Sequence, residues 1–228
     1  MNLPEHIVPT PWDERALGIA TYQIERVSEE TLAAAAKLPG HFTVKLDPQA
    51  STRLLHEHGF YYCDTLIEPY CIRRRFVPVR DGKVSLATEV SLAGLLAISH
   101  GAFTHGRFHR DFNVARSVAD ARYDNWLRDL QQAGSVFGLQ YDNELAAFFA
   151  YQAQRIVLHA MAAQFKGRGL AKALWTAACE RMFDAGHAEI SSSISAANMA
   201  ALNLYASLGF GFRNPLDVYH RLNRPAAG

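Results

Sequence analysis

The sequence contains few cysteines and no long apolar run. Only Cys63, Cys71 and Cys179 occur among 228 residues, and they form no CxxC pair of the kind that binds zinc. On one extended strand, at ~3.3 Å per residue, Cys63 and Cys71 would lie about 26 Å apart, so we expect free thiols. No apolar stretch approaches the roughly 20 residues that span a membrane, and the start, MNLPEHIVPTPWDER, lacks a basic segment followed by an apolar core. We therefore expect a cytoplasmic protein without membrane insertion.

An excess of charge of either sign is also absent. The formal net charge is +1, from 23 Lys and Arg against 22 Asp and Glu. Such a balance offers no broad basic surface to a phosphate backbone, so we expect no nucleic-acid partner. Arg73, Arg74 and Arg75 form the one dense positive cluster, which we interpret as an exposed strand end. The 49% hydrophobic content suits a globular core, and the sequence leaves monomer and homodimer open.

Hydrophobic periodicity predicts an α/β fold with a mixed sheet. In the first half it predicts strands at 19–26, 42–46 and 60–76, and helices at 28–36 and 49–58. The segment VPVRDGKV, with Pro78 and the turn pair Asp81-Gly82, is the predicted boundary. We therefore expect an N-terminal α/β domain at residues 1–75 and a second domain at residues 76–228.

The second half alternates strands and helices. The predicted helices are 91–103, 118–132, 170–185 and 199–208, and the predicted strands are 136–140, 144–152, 156–161 and 188–194, with a hairpin-like pair of strands over 210–223. Leu54–Tyr70 and Leu204–Tyr219 echo each other, since each runs from a helix end through Gly-Phe into a strand. Either a duplication or the general use of glycine to end helices explains the echo.

The stretch QFKGRGLAKAL, residues 164–174, predicts an anion site. A strand, a short loop and a helix follow each other there, so backbone NH groups at the helix start lack partners. Glycines at 167 and 169 let a phosphate approach the backbone, the helix dipole favours negative charge, and Lys166 and Arg168 add positive charge. The chemistry fits a pyrophosphate.

Two nucleotide-binding motifs fit this stretch poorly. A P-loop requires GxxxxGK followed by Ser or Thr, and that spacing does not occur in the sequence. A dinucleotide-binding GxGxxG would begin at Gly167, but Lys172 occupies its third small position.

A third pattern fits well, because Lys166-Gly-Arg-Gly-Leu-Ala171 resembles the Gln/Arg-x-x-Gly-x-Gly/Ala loop of the GNAT superfamily of acetyl-CoA-dependent N-acetyltransferases, with Lys at the first position. Gln164–Gly169 fits the same pattern literally two residues earlier, but the flanking Leu170 and Lys172-Ala-Leu174 favour the later register. A second motif, from Asn198 through Ala201 and Tyr205 to Gly209-Phe210, is similar to the superfamily's N-x-x-A-x-x-x-Y-x-x-x-G-F. The resemblance covers roughly residues 76–228. It implies a GNAT fold, a mostly antiparallel twisted sheet flanked by helices, in which the N-terminal extension could be half a GNAT unit.

The resemblance also implies roles for individual residues. Acetyl-CoA is the implied cosubstrate, and Tyr205 is the implied general acid for the leaving thiolate. The implied CoA-binding residues are His159, Ala160 and Met161 through their backbone, the loop residues Lys166, Gly167, Arg168, Gly169, Leu170 and Ala171, and Asn198 and Asn203.

A narrower resemblance concerns the acceptor. PTPWDERALGI, AFTHGRFHRDF and ARYDNWL are similar to dTDP-fucosamine acetyltransferases, which acetylate dTDP-4-amino-4,6-dideoxygalactose. This resemblance implies a nucleotide sugar as the small-molecule amine acceptor and Asp64 as the catalytic base, so the N-terminal domain, residues 1–75, is expected to wall the acceptor site. Arg107 and His109, in a loop or helix end at the rim of that site, are the predicted substrate-binding residues. Glu68 is an alternative base.

His105, His109 and Asp111 have a spacing that a metal site could use, but Gly106 weakens a helix there and no further ligand is spaced to complete the set. We therefore expect no metal. The sequence predicts an N-acetyltransferase, with an amino-sugar nucleotide as the first acceptor to test. A protein N-terminus, a polyamine or another small amine stays open as acceptor, and so does a catalytically silent domain that binds acyl-CoA.

Overall fold

A computed structural model describes residues 3–224. The contacts between Cα atoms divide the chain into two compact units. Unit 1 comprises the residues up to Leu66, residues 105–122, and those from Pro215 onward; unit 2 comprises residues 67–104 and 123–214. Within the described range, none of the helices combines the length and the apolar character that crossing a bilayer requires.

Unit 1 is built on a mixed sheet, whose strands we number in chain order through both units. Strand β1 (Ile7–Pro9) pairs antiparallel with β2 (Thr21–Ile24), which runs parallel to β3 (Gly40–Leu46). Strand β3 pairs antiparallel with the end of β11 (Gly211–Asn223), from Asp217 to Asn223. The apolar core of the unit includes Ile24, Leu32, Phe42, Val44 and Leu55.

Three short helices belong to unit 1: α1 (Pro11–Leu17), α2 (Glu29–Ala35) and α3 (Arg53–Glu57). Helix α2 starts where the sequence predicts because the Ser28 side chain accepts a hydrogen bond from the Thr31 amide at 3.1 Å. Helix α1 was missed, although Pro11 at its first turn and Gly18 at its left-handed C-cap are ordinary signals of a helix start and end.

Unit 2 has a mostly antiparallel sheet. The end of β4 (Tyr61–Ile72) pairs antiparallel with β9 (Glu189–Ser192), and β9 runs parallel to β8 (Arg155–Met161). The order continues antiparallel through β7 (Glu144–Gln152), β6 (Val136–Tyr141) and β5 (Val84–Ala87), and β10 (Ile194–Ser195) pairs with β4. The predicted mixed α/β fold is therefore confirmed.

The helices of unit 2 are α4 (Leu92–Ser99), α5 (Arg116–Gln132, from Tyr123 onward), α6 (Ala171–Asp184) and α7 (Met199–Ser207). Helix α6 contacts β5, β6, β9 and α7. Its buried face, with Leu174, Ala178 and Met182, follows the helical period that the sequence shows. The three arginines Arg73–Arg75 form an exposed 3₁₀ turn directly after β4.

The predicted pair of strands at the C-terminus is wrong, since Gly211–Asn223 is one strand. Asn214 adopts a left-handed φ of 52° immediately before Pro215. A bend of this kind accommodates the proline, which cannot donate to a ladder, without reversing the chain.

The linear division predicted near residue 75 differs from the division by contacts. The contacts place residues 105–122 and the end of β11 with the N-terminal residues, because β11 pairs along the whole of β3. Removal of residues 1–75 would leave that part of β11 without its partner strand.

Gly209 ends α7 in a conformation that other residues tolerate poorly. Its φ is +86°, and a Cβ there would lie 2.1 Å from the carbonyl oxygen of Arg75. We expect Gly209→Ala to lower the free energy of unfolding by about 3 kcal/mol, since the left-handed conformation costs ~1–2 kcal/mol and the overlap adds to it. Thermal and urea denaturation measure this loss.

Gly186→Ala is the matched control, because Gly186 has a φ of +95° and nothing within 4 Å of its added Cβ. Gly186→Ala should lower the free energy of unfolding only by the cost of the left-handed conformation. Equal losses in the two variants would contradict the role of the Arg75 carbonyl.

Candidate active site

The loop before α6 presents backbone NH groups to open space. In the described chain, the amides of Gly167, Arg168, Gly169 and Leu170 donate to no protein acceptor, and no side chain caps the helix. Both glycines have left-handed φ values, 75° and 77°, and nothing lies within 4 Å of where a Cβ would stand. The residues therefore fit a ligand with several anionic oxygens.

The basic side chains of this loop differ in their surroundings. Lys166 is exposed. The guanidinium of Arg168 lies over the ring of Phe165, 5.3 Å from its centroid, and over that of Tyr141 at 5.9 Å. Arg168 is thus held by aromatic rings beside the free amides, where its charge favours an anion.

Strand β8 loses its neighbour on one side halfway along its length. It pairs with β9 only at Arg155 and Ile156, whereas on the other side β7 pairs with it as far as Met161. Within the described sheet, the edge of residues 157–161 that faces away from β7 is therefore open. The predicted CoA-binding residues His159, Ala160 and Met161 all lie on this segment.

Tyr205 and His159 are brought together in unit 2. Tyr205 on α7 is 0% exposed, and its hydroxyl lies 2.9 Å from Nε2 of His159 on β8. Its ring packs against Phe210, with centroids 4.8 Å apart, and against the imidazole at 5.8 Å. Sequence reasoning used only the backbone of His159 and missed this contact, although a lone histidine in the apolar strand IVLHAM was a signal.

Both members of this pair are neutral at pH 7. Burial raises the pKa of the Tyr205 phenol well above its ordinary value, and it lowers the pKa of the His159 imidazole to about 4. The proton shared by the pair is therefore the phenolic one or the Nε2 proton of a neutral imidazole, depending on the tautomer. The arrangement can hold and move a proton without carrying a net charge.

Trp175 on α6 adds a second polar group. Its indole packs edge-on against His159, with ring centroids 5.0 Å apart. The indole Nε1 is buried and has no partner at hydrogen-bond geometry among residues 3–224, but it is near enough to the Tyr205 hydroxyl to help lower the pKa of that phenol. The sequence does not single out this residue, because Trp175 reads as an ordinary member of the apolar face of α6.

Asn198 and Asn203 both belong to the α7 region. The Asn198 side chain caps α7 by accepting a hydrogen bond from the Ala201 amide at 3.1 Å. Asn203 is exposed on the helix. Asn198 therefore has a definite structural role, and its amide NH₂ group stays available to a ligand.

Asp64, Arg107 and His109 belong to unit 1, whereas the alternative base Glu68 belongs to unit 2, where it accepts a hydrogen bond from Nε of Arg213 at 2.8 Å. The Asp64 carboxylate is 0% exposed and accepts hydrogen bonds from Nη1 of Arg110 at 2.8 Å and from the Thr65 amide at 2.9 Å. Arg107 lies 3.4 Å from Asp13, and Nε2 of His109 lies 3.0 Å from Asp120. Each side chain already has an ionic partner within the unit.

Asp111 contacts His41 and His220, and not His105 and His109, whose spacing in the sequence suggested a shared site. Its carboxylate lies 2.9 Å from Nε2 of His41 and 2.8 Å from Nδ1 of His220, and it also accepts from the Tyr61 hydroxyl at 3.0 Å and the Asn113 amide at 2.8 Å. Burial alone would raise the pKa of the Asp111 carboxyl, but the hydrogen bonds from His220 and His41 outweigh burial and hold that pKa well below its ordinary value. The four donors solvate one buried carboxylate.

His41, Asp111 and His220 are also close enough to hold a metal ion. Burial lowers the pKa of His220 to about 4, so its ring is neutral. In the hydrogen-bonded form Nδ1 carries the proton, and the buried Nε2, which has no partner in the described structure, is a bare lone pair. If Nδ1 of His220 coordinated a metal ion, its proton would have to move to Nε2, where a buried N–H would have no acceptor. These three side chains therefore favour the hydrogen-bonded network over a metal site.

The comparisons with known proteins agree with this geometry. Residues 103–210, just under half of the chain, match the family model described as the acetyltransferase (GNAT) family. No curated protein matches.

Several solved structures with a similar fold are described as GNAT or GCN5-related N-acetyltransferase proteins. A GCN5-related N-acetyltransferase from Sphaerobacter thermophilus is 13% identical with a TM-score of 0.56, and the match covers 84% of this chain and 62% of that one. A second from Kribbella flavida is 14% identical, with a TM-score of 0.57 and coverage of 91% and 82%. A tandem GNAT protein from the clavulanic acid biosynthesis pathway is 12% identical, with a TM-score of 0.55 and coverage of 92% and 77%.

At these identities the structural likeness shows the fold, which is that of GNAT proteins. The family match over residues 103–210 agrees with this fold. Neither extends to the acceptor.

Proposed function

We propose that this protein is an N-acetyltransferase that moves the acetyl group of acetyl-CoA to the primary amine of an amino-sugar nucleotide such as dTDP-4-amino-4,6-dideoxygalactose. The observation that carries the proposal is the run of four partnerless amides at Gly167–Leu170, in open space at the start of α6. This arrangement fits the pyrophosphate of coenzyme A.

The donor side is formed by residues of unit 2. The loop Lys166–Ala171 holds the pyrophosphate, with Asn198 and Asn203 as further polar contacts. The open edge of β8 offers backbone groups of His159, Ala160 and Met161 to the pantetheine arm, and the Met161 amide polarises the thioester carbonyl. Acetyl-CoA supplies an activated acyl group, and Tyr205 supplies the proton that the departing thiolate requires.

The acceptor side is assigned to unit 1, which contains Asp64, Arg107 and His109. Asp64 is the proposed base that removes a proton from the amine, and Arg107 and His109 are the proposed contacts to the phosphates of the nucleotide sugar. The ion pairs with Asp13, Asp120 and Arg110 would have to rearrange when such a substrate enters.

Release of free CoA thiol from acetyl-CoA tests the function directly. The acceptors are dTDP-4-amino-4,6-dideoxygalactose, glucosamine, spermidine and a peptide with a free N-terminus, each compared with a blank without amine. Glucosamine is included because a structural neighbour, 13% identical with a TM-score of 0.59, is described as a glucosamine N-acetyltransferase region of a fungal enzyme.

Turnover with the nucleotide sugar well above the other amines supports the full proposal. Faster turnover with the polyamine or the peptide would replace the acceptor and keep the reaction. Tight binding of CoA by calorimetry without turnover of any amine would instead indicate a catalytically silent domain.

A further inference from the structure

The polar groups near the Tyr205 hydroxyl are those of His159, Ser192 and Trp175, and His159 is the one at an open strand edge. Tyr205 is completely buried, whereas His159, whose Nε2 lies 2.9 Å from the hydroxyl, is partly exposed. His159 lies on the segment of β8 that has lost its β9 neighbour, so its backbone borders the open edge. The imidazole therefore lies between the buried phenol and the open edge, and the thiolate reaches the phenolic O–H only if binding of the cofactor uncovers it.

A simple acid role for Tyr205 faces an energetic obstacle. The surroundings that raise the pKa of the phenol above 10 make a buried phenolate unfavourable, and those that lower the pKa of His159 to about 4 make an imidazolium unfavourable as well. With the pKa of the phenol raised and that of the imidazole lowered, the charge-separated pair is strongly disfavoured. A route that forms neither ion is needed.

We propose that His159 is a proton-relay partner of Tyr205, which refills the phenol with a proton while the phenol delivers its own to the thiolate leaving group. This inference rests on the proposed function, and it deepens it by assigning a role to a side chain that the sequence motifs do not include. A neutral imidazole can perform the step because it has one nitrogen that gives a proton and one that takes a proton.

The step balances in atoms and charge. With His159 as its Nε2–H tautomer, Nε2 donates to the Tyr205 oxygen and leaves the phenolic O–H free to point at the sulfur. The O–H bond of Tyr205 breaks as the S–H bond forms, the Nε2 proton moves to the phenolic oxygen, and Nδ1 takes a proton from a water molecule. The hydroxide left by that water is neutralised by the proton that the acceptor amine loses when the amide forms. The product is the Nδ1–H tautomer with Tyr205 donating to Nε2, and no phenolate or imidazolium is formed.

Replacement of His159 by glutamine distinguishes two roles of the side chain, which are to position the Tyr205 hydroxyl and to return a proton to it. The amide of His159→Gln reaches Tyr205 with a hydrogen-bond donor but has no second nitrogen to refill it. We expect CoA affinity and melting temperature close to those of the wild type and a fall in kcat of about 10-fold or more, toward the usual range for loss of acid–base catalysis. In the wild type, a plot of kcat against the D₂O fraction should be curved, because two protons move in the transition state. In His159→Gln the plot should be linear, because only one proton moves.

Val157→Ala is the matched control, because Val157 lies on the same face of β8 two residues earlier. It should keep the curved dependence. If His159→Gln kept the kcat of the wild type and a curved plot of kcat against the D₂O fraction, the relay would be overturned.

A second kinetic test uses an acetyl donor whose leaving group is a weaker base than the CoA thiolate. The selenoester analogue of acetyl-CoA releases a selenolate, which needs no proton to depart because selenols are far stronger acids than thiols. With this analogue, His159→Gln should recover to within about threefold of the wild type. A deficit that persists would show a structural defect and contradict the inference.

Nuclear magnetic resonance of ¹⁵N-labelled histidine tests the pair without turnover. We expect a neutral His159 ring whose Nε2 signal changes in Tyr205→Phe and whose tautomer shifts toward Nε2–H when CoA binds. A protonated ring, or a spectrum indifferent to both changes, would overturn the relay even if acetyl transfer is established. If the wild type acetylates no amine, the proposed function fails, and these spectra still decide whether the pair exists.

Discussion

Gly169→Asp will weaken the binding of coenzyme A at least 100-fold while the protein stays folded. Gly169 has a φ of +77°, which aspartate tolerates better than most residues, and nothing lies within 4 Å of its added Cβ. The carboxylate would occupy the space in front of the free amides of Gly167–Leu170 and repel the phosphates. Opposed like charges cost several kcal/mol, and each 1.4 kcal/mol is about a factor of ten in affinity. Isothermal calorimetry measures the change.

Gly169→Asn is the matched control, because asparagine has nearly the same volume and the same tolerance of a positive φ. It should bind CoA more weakly than the wild type but much better than Gly169→Asp, since only the charge differs. Unchanged affinity in a folded Gly169→Asp protein would show that the phosphates bind elsewhere.

Tyr205→Phe should lower kcat about 100-fold, because the ring remains and the proton donor is lost. The sequence suggests little change in melting temperature, but the structure revises this expectation. The lost hydroxyl leaves His159 Nε2 without its partner, which costs ~1–2 kcal/mol, or roughly 2–8 °C for a protein of this size. Steady-state kinetics with the acceptor that the amine panel identifies, together with thermal denaturation, measures both effects.

Tyr151→Phe provides the comparison, because Tyr151 lies on β7, packs against Phe137 and is not a candidate for the reaction. It should keep both kcat and stability. Near wild-type turnover by Tyr205→Phe, under conditions in which chemistry limits the rate, would assign Tyr205 to the core and leave solvent as the proton donor.

The parts of the fold that the sequence predicts well are those in which local and global signals agree. Strand β7 has the predicted bounds because Asp142 and Asn143 adopt the left-handed conformations of a tight turn directly before it. Helix α6 differs from its prediction by one residue at each end. Strand β5, four residues long, was missed because its apolar alternation is too short to stand out and its order depends on pairing with β6.

The candidate site likewise contains features that the local sequence predicts and features that it does not. The glycine loop is a local feature, so its free amides and open space follow from residues adjacent in the chain. The contact between Tyr205 and His159 joins residues 46 positions apart, and the network of His41, Asp111 and His220 joins three distant segments. Such contacts depend on strand order, which periodicity does not encode.

The open edge of β8 has a consequence for the handling of the protein. A row of unpaired backbone donors and acceptors is a template on which another chain can add a strand, and proteins usually cover such edges. A cofactor arm laid along residues 159–161, as proposed, would cover part of that edge. The ligand-free protein should then be the form that self-associates during concentration and storage, and added CoA should protect it against aggregation as well as raise its melting temperature.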